Sequence, residues 1–329
     1  MTEGANADPA PEPRPATART LLFGALSLDI YLGRDLVLPG GGVLNMAWAW
    51  RQAGFPFHLL TRIGDDRPDV FLEFLDRHSI PYSAGSIVGA GPSASIDIVI
   101  QPDRQPHMDH FVEGVWAGLQ LTEEEASLVA SGERLHAVLV EGVVAEIHRL
   151  GDAGRLRQLT VSADFLGLRH YTVERFARTM AHVDIGFVGW PGALDDPTVA
   201  GIKATAFELQ KLVIVTLGAR GVLVLDGRAA PAERFVPVTP VEVVGTTVGC
   251  GDAFIAAFLA HLWRDGEVLA AVEAGKIAGA AATAWRRPLP DAAYGPAAEA
   301  ALRLADEEAE EDEHEPGDGD RPADPSLPA

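Results

Sequence analysis

The 329-residue chain contains, at residues 243–254, the segment VVGTTVGCGDAF. Gly249 and Gly251 precede an apolar helical pattern whose first turn contains Asp252. Glycines let successive backbone amides converge, and the start of a helix adds the positive end of its dipole, so such a turn attracts a phosphate. A carboxylate beside it can accept a proton from an attacking hydroxyl. The segment predicts a phosphate-binding turn with Asp252 as general base, although a tight loop with a favourable first-turn acid fits the same residues.

Two further glycine-containing segments lie upstream. Residues 215–222, VTLGARGV, predict a strand, a turn and a returning strand, and such a turn can lie against a nucleotide. Residues 39–42, PGGG, open a helical pattern over Val43–Trp50 that ends before Gly54. The chain therefore places glycine-rich turns at the starts of two predicted helices.

The rest of the chain alternates between apolar strands and helical patterns. An apolar strand over Leu21–Leu26 is followed by a loosely alternating segment from Ile30 to Leu38 and by a hairpin with polar turn residues, Ser95–Ile100 and His110–Glu113. Further predicted strands are Phe57–Arg62, Ala137–Val140, Thr160–Ala163, Ile185–Val188, Leu212–Thr216 and Val222–Leu225; further predicted helices are Asp69–His78, Ala253–Trp263, Val268–Trp285 and Ala297–Glu311. This alternation predicts an α/β fold with a mostly parallel sheet that is covered on both faces.

Taken in order, residues 40–45 (GGGVLN), 63–66 (IGDD), 215–222 and 247–254 resemble the motifs of the ribokinase-like, or PfkB, family of carbohydrate and nucleoside kinases. The resemblance covers roughly Leu21 to Arg287. It implies a three-layer α/β/α core with a small β-sheet lid, from about residues 30–40 and 93–113. It also implies ATP and Mg²⁺ as cofactors, and transfer of the γ-phosphoryl group to a hydroxyl of a sugar or sugar derivative.

The resemblance also implies roles for individual residues. Asp252 would be the catalytic base, beside an anion hole made by backbone amides. Asp29 and Asn45 would bind the substrate, although a turn residue and a helix-capping residue are the structural alternatives. By position, the implied residues are Gly249, Cys250 and Gly251 for the anion hole, Thr216, Gly218, Gly221 and Thr247 for the nucleotide, and Asp29, Gly41, Gly42 and Asn45 for the substrate. The resemblance assigns no metal ligand.

The chain departs from the family pattern at two places. Thr246 stands where the family often has an aspartate that serves an activating monovalent cation, and Val248 stands where a hydroxyl residue is common. The family's Asn-x-x-Glu element, expected after the strand Ile185–Val188, is replaced by GWPG at residues 189–192. An acid that helps to hold Mg²⁺ through water is therefore missing. A nucleoside kinase, or a weakly active or non-catalytic ligand-binding relative, remains open beside a sugar kinase.

The composition limits the binding partners and the cellular location that can be expected for the protein. The net charge is −21, which disfavours nucleic acid and anionic lipid, and no apolar run is long enough to span a membrane. Cys250 is the only cysteine, so an intramolecular disulfide is excluded and a cytoplasmic location is expected. Its place at a predicted helix start favours a lowered thiol pKa.

The two ends of the chain differ from the body. Residues 1–19 contain four prolines and no apolar core, and predict a flexible leader. Ten of the 47 acidic residues lie between Asp306 and Asp320, so residues 306–329 predict an acidic, disordered tail after a kinase domain at 20–305. Unpaired strand edges in the predicted lid favour a homodimer that forms through the lid.

Overall fold

The computed structural model describes residues 19–32, 36–101, 104–168, 171–296, 298–299 and 302. Two sheets account for the strands in this part of the chain. The strands are β1 Thr20–Phe23, β2 Ser27–Tyr31, β3 Leu36–Gly40, β4 His58–Leu60, β5 Ala94–Ile100, β6 Pro106–Val112, β7 Arg134–Val138, β8 Thr160–Asp164, β9 Ile185–Gly189, β10 Leu212–Thr216, β11 Val222–Asp226 and β12 Ala232–Val236. The helices are α1 Gly42–Gln52, α2 Pro68–Arg77, α3 Glu123–Ser131, α4 Glu141–Asp152, α5 Val173–Met180, α6 Pro197–Glu208, α7 Cys250–Asp265 and α8 Val268–Ala282.

The larger sheet has eight strands in the order β12-β11-β10-β9-β8-β7-β1-β4. From β10 to β4 every neighbouring pair is parallel, whereas β11 and β12 add an antiparallel edge. In parallel sheets the carboxyl ends of the strands meet along one edge, and ligands bind there. That edge brings together the residues that follow β7, β8, β9 and β10.

Two apolar clusters cover the faces of this sheet. One contains side chains of α1, α2, α7 and α8, such as Leu44, Phe71 and Phe258. The other contains side chains of α3, α4, α5 and α6, such as Ile147 and Phe176. The predicted three-layer α/β/α class is confirmed, because apolar strands of a parallel sheet need a helix layer on both sides.

The smaller sheet has the order β3-β2-β5-β6, and we call it the lid sheet. Its strands lie within the stretches 27–40 and 94–112, of which residues 33–35 and 102–103 are not described, close to the predicted lid segments at 30–40 and 93–113. The predicted single strand Leu21–Leu26 is wrong. The chain leaves the large sheet after Phe23 and enters the lid sheet at Ser27, so Asp29 lies in the lid sheet and not at the end of the first strand.

The structure contains one strand that the sequence did not predict, and several predicted segments lie outside the described residues. The strand β12 was missed because its sequence, AERFV, has no regular alternation of apolar and polar residues, and most of its residues are exposed. The predicted leader, apart from Arg19, the tail at 306–329 and most of the predicted helix from Ala297 to Glu311 lie outside the described residues. Among the described helices, none has the length and apolar character needed to cross a bilayer.

Candidate active site

Asp252 lies in the first turn of α7, at the carboxyl edge of the large sheet. Gly249 caps this helix in the left-handed conformation, with φ of 77°. Asp252 is partly exposed as a residue, yet burial of its carboxyl raises its pKa to about 6, and a hydrogen bond from Asn45 opposes part of the rise. A carboxyl with this pKa is mostly ionised at neutral pH and is still basic enough to take a proton in a reaction.

Asn45 connects α1 to this carboxyl, across 207 residues of sequence. Its Nδ2 donates to Oδ2 of Asp252 at 2.8 Å. A Cβ atom at residue 42 would lie 2.8 Å from Oδ1 of Asp252, so only a glycine lets α1 approach this closely. Asn45 is 6% exposed, and its Oδ1 has no hydrogen-bond partner in the described part of the chain. A buried acceptor without a partner costs free energy, which favours a donor group of a ligand at this place.

Asp29 reaches the same region from the lid sheet. Its Oδ1 accepts a hydrogen bond from Ser27 at 2.8 Å. Burial raises the pKa of the Asp29 carboxyl to about 7; the Ser27 hydrogen bond lowers it and the charge of Asp252 raises it further. A Cβ atom at residue 40 would lie 2.1 Å from this carboxyl, so the glycine next to Gly41 makes room for it. The lid sheet and α7 therefore bring two carboxyls, Asp29 and Asp252, to one site.

The N-terminal end of α7 contains the amides that the sequence predicts as an anion hole, at Gly249, Cys250 and Gly251. The Cys250 amide donates to the Thr247 carbonyl at 3.3 Å, and the Gly251 amide lies in the first helical turn, where no earlier helical carbonyl accepts it. A Cβ atom at residue 251 would meet no atom within 4 Å, so the space beside this amide is open. The predicted lowering of the Cys250 thiol pKa is wrong, because burial and then the charge of Asp252 raise it to about 12.

The predicted nucleotide turn lies two strands beyond β8. Thr216 ends β10, a 3-10 turn follows at Gly218–Arg220, and Gly221 leads into β11. Gly218 has a φ of 59° and open space on its Cβ side, whereas a Cβ atom at Gly221 would lie 2.8 Å from the Val236 carbonyl. Arg220 donates to the carbonyls of residues 190, 191 and 192, at 3.0, 3.0 and 2.7 Å. It thus fixes the segment after β9 that replaces the family's Asn-x-x-Glu element.

Thr246 and Thr247 contact the turn between β5 and β6 of the lid sheet. Thr247 Oγ1 donates to Gln105 Oε1 at 2.8 Å, so its hydroxyl is directed at the lid sheet in this structure. Thr246 is fully buried; its Oγ1 donates to the Arg104 carbonyl at 3.1 Å and accepts from the Val248 amide at 3.3 Å. Both functions of the Thr246 hydroxyl are therefore satisfied within the protein.

We predict that activity depends weakly on the monovalent cation. Thr246 supplies no carboxylate, and charge is what offsets the dehydration of a weakly held ion. Turnover is expected to differ by less than about threefold between potassium and a large organic cation at equal ionic strength, a margin of about 0.65 kcal/mol. Steady-state rates of the wild type and Thr246→Ala test this. A large potassium stimulation that Thr246→Ala abolishes would show that Thr246 is itself a ligand.

Sequence reasoning gave no role to three residues that the structure brings into or beside the site. Asp164 ends β8 beside the end of β7, and the residue is 6% exposed. Arg220 and Arg104 fix loops through carbonyl contacts. A signal for Asp164 was present, since a carboxylate directly after a buried parallel strand lies at the ligand-binding edge of the sheet.

Comparison with known proteins identifies the family. The model of the pfkB family carbohydrate kinases matches residues 32–286. The chain belongs to this family. The prediction of a phosphotransferase that acts on an alcohol group is confirmed, since PfkB kinases phosphorylate sugars or nucleosides.

The names of individual relatives state different phosphoryl acceptors, including nucleosides and a sugar derivative. Cytidine kinase of Thermococcus kodakarensis is 29% identical over 258 residues, covering 74% of this PfkB chain and 88% of the relative. Fructoselysine 6-kinase of Escherichia coli is 28% identical over 248 residues, covering 75% and 90%. The crystal structure of adenosine kinase from Sinorhizobium meliloti has a TM-score of 0.70 at 18% sequence identity. The match covers 88% of this chain and 100% of the adenosine kinase chain. At this identity, the structural similarity shows the fold alone.

Proposed function

We propose that this PfkB kinase transfers the γ-phosphoryl group of ATP to a hydroxyl of a sugar or sugar derivative, with Asp252 as general base. The observation that carries the proposal is the position of Asp252, in the first turn of α7, bonded to Asn45 and next to the open space beside Gly251. A base and an anion site are thereby adjacent.

The residues of the site have separate roles in the proposed reaction. Asp29 and Asn45 hold acceptor hydroxyls, and the unpartnered Oδ1 of Asn45 accepts from one of them. Asp252 takes the proton of the attacking hydroxyl as the oxygen forms its bond to the γ-phosphorus and the bond to the bridging oxygen of ADP breaks. The turn formed by Gly249, Cys250 and Gly251 faces the charge on the transferred group, and the Gly251 amide is the donor in it that has no earlier helical acceptor. Thr216, Gly218, Gly221 and Thr247 border the nucleotide.

The donor atoms at the site fit Mg²⁺. Mg²⁺ commonly binds through one or two carboxylates together with phosphates and waters. Within the described residues, no group of three or more His, Cys, Asp or Glu side chains could hold a metal by itself. The carboxylates of Asp164 and Asp252 lie at the same edge of the sheet, and the charge of Asp252 raises the pKa of Asp164. When bound with the nucleotide, Mg²⁺ would neutralise phosphate charge.

The acceptor class is decided by turnover of ATP on a panel of ketoses, aldoses, amine-linked sugars and nucleosides. We expect the highest kcat/KM with a sugar or sugar derivative. A clear preference for a nucleoside would establish the alternative, a nucleoside kinase. Absence of turnover on every acceptor, with ligand binding retained, would make the chain a non-catalytic relative.

The pH dependence follows from the base. Asp252 must be ionised to accept a proton, so kcat/KM for the acceptor is expected to fall as the pH drops through about 6. Asn45→Ala removes a hydrogen bond that lowers this pKa, so the acidic limb should move to higher pH. If Asn45→Ala removed only a substrate contact, kcat/KM would fall by the same factor at every pH and the acidic limb would not move. An acidic limb at the same pH in both proteins would contradict Asp252 as the titrating base.

The lid sheet also supports a proposal about assembly. β6 is an edge strand of this sheet, and Val99, Phe111 and Val112 expose apolar surface on it and on its neighbour. A second lid sheet covering this edge would give a homodimer. A monomeric mass in solution at micromolar concentration would refute it. A cytoplasmic location stays a proposal that rests on the single free cysteine, Cys250.

A further inference from the structure

Asp164 lies at the carboxyl edge of the large sheet, and only one of its two carboxylate oxygens accepts a hydrogen bond in the described part of the chain. It is the last residue of β8, and Oδ1 accepts from the Leu166 amide at 2.8 Å. Within the described residues Oδ2 accepts no hydrogen bond, and no lysine or arginine forms an ion pair with this carboxylate. The turn therefore fixes the orientation of the carboxyl while leaving one oxygen available to a ligand.

The order of the strands places Asp164 between the base and the nucleotide turn. Val138 ends β7 and pairs with Asp164, and the Val138 side chain and Oδ1 of Asp252 both lie against Gly42, so Asp252 lies over the end of β7. Thr216 ends β10, two strands beyond β8. Asp29 lies on the acceptor side, in the lid sheet. The region of Asp252 over the end of β7 and the nucleotide turn after β10 therefore lie on either side of Asp164 at the end of β8.

A buried carboxylate in this position repels phosphate unless a cation lies between them. The Mg²⁺ that accompanies the nucleotide is a cation of the kind required, and it takes one or two protein carboxylates. Asp252 has its Oδ2 bonded to Asn45 and is needed as the base, which leaves Asp164 for the metal.

We propose that Asp164 supplies the protein carboxylate that holds Mg²⁺ on the bound nucleotide. The proposal rests on the proposed ATP-dependent function and deepens it. In this chain it gives the metal a ligand at the end of β8, whereas the segment after β9, which Arg220 fixes, contains no acid at residues 189–192. An ammonium group of the acceptor is the other cation that this carboxylate fits, and the experiment distinguishes the two.

The test measures ADP affinity by calorimetry with Mg²⁺ and with EDTA, in the wild type and in Asp164→Asn. Asparagine keeps the shape and the acceptor for the Leu166 amide but removes the charge. We expect Mg²⁺ to strengthen ADP binding to the wild type, and Asp164→Asn to weaken Mg²⁺-dependent binding by about 10–100-fold. Metal-free ADP should bind the variant as tightly as the wild type or more tightly, because a repulsive charge is gone. A merely structural role would weaken both.

Controls and contrary outcomes complete the experiment. Asp184→Asn removes a half-exposed acid before β9, at the opposite edge of the sheet, and should leave the Mg²⁺ effect unchanged. Asp164→Ser replaces the Asn variant if thermal unfolding shows that the latter does not fold. An undiminished Mg²⁺ effect, or a change confined to the KM of amine-bearing acceptors, would overturn the role of Asp164 and leave the proposed function standing. A wild type that binds no nucleotide would overturn both.

Discussion

Replacement of Asp252 by Asn is expected to lower kcat by about 10²–10⁴-fold, the range typical of a lost general base. The amide of Asn can still contact Asn45 but cannot take a proton from the acceptor hydroxyl. ATP affinity should be unchanged or slightly higher, because the substitution removes a negative charge near the phosphates. Steady-state kinetics on the best acceptor, with ATP binding measured separately, gives both quantities.

A matched control for this substitution lies on the same helix. Asp265 is the last residue of α7 and therefore lies far from its first turn. Its side chain is half-exposed and within ion-pair distance of His261 and Arg264. Asp265→Asn should retain turnover while changing the charge by the same amount. Equal turnover by Asp252→Asn and the wild type would remove Asp252 as the base, and a parallel loss of ATP affinity would point to a disturbed anion site.

The sequence was sufficient for the layers of the fold but not for the point where the chain changes sheets. Apolar strands and helical patterns alternate strongly from Ala137 onward, and the structure follows them. Between Leu21 and Leu28 only Gly24 and Ser27 interrupt the apolar residues, so no polar or turn-rich segment marks the passage from β1 to β2. Only the partners differ, because β1 pairs with β4 and β7 whereas β2 pairs with β3 and β5. Such pairing is a tertiary property.

The same limit applies to the site. Gly249, Gly251 and Asp252 are adjacent in sequence, so a local pattern identifies them as a turn and a first helical turn. The contact between Asn45 and Asp252 joins residues that are far apart in the chain, and a resemblance places both at the site without giving the bond between them. The bond of the Thr247 hydroxyl to Gln105 in the lid sheet is another contact between distant residues that no local pattern predicts.

The two glycines at the start of α7, Gly249 at the N-cap and Gly251 in the first turn, are expected to respond in opposite ways to alanine. Gly249 has a φ of 77°, and a Cβ atom there would lie 2.8 Å from Cα and 2.9 Å from the carbonyl oxygen of Pro288, which are backbone atoms that cannot rotate away. Left-handed strain and overpacking together should lower the free energy of unfolding by about 2–5 kcal/mol in Gly249→Ala. Denaturant unfolding of the purified variants measures this.

Gly251→Ala is the matched variant, because its Cβ atom would meet nothing within 4 Å. Its free energy of unfolding should stay the same or rise by about 0.5–1 kcal/mol, since alanine is the better helix residue. Its kcat should nevertheless fall, because the added methyl enters the space that we assign to the phosphoryl group. Gly249 would then be required by the backbone and Gly251 by the ligand. Full activity in Gly251→Ala would place the phosphoryl group elsewhere, whereas normal stability in Gly249→Ala would show that Pro288 can move and that the turn is less rigid than its contacts indicate.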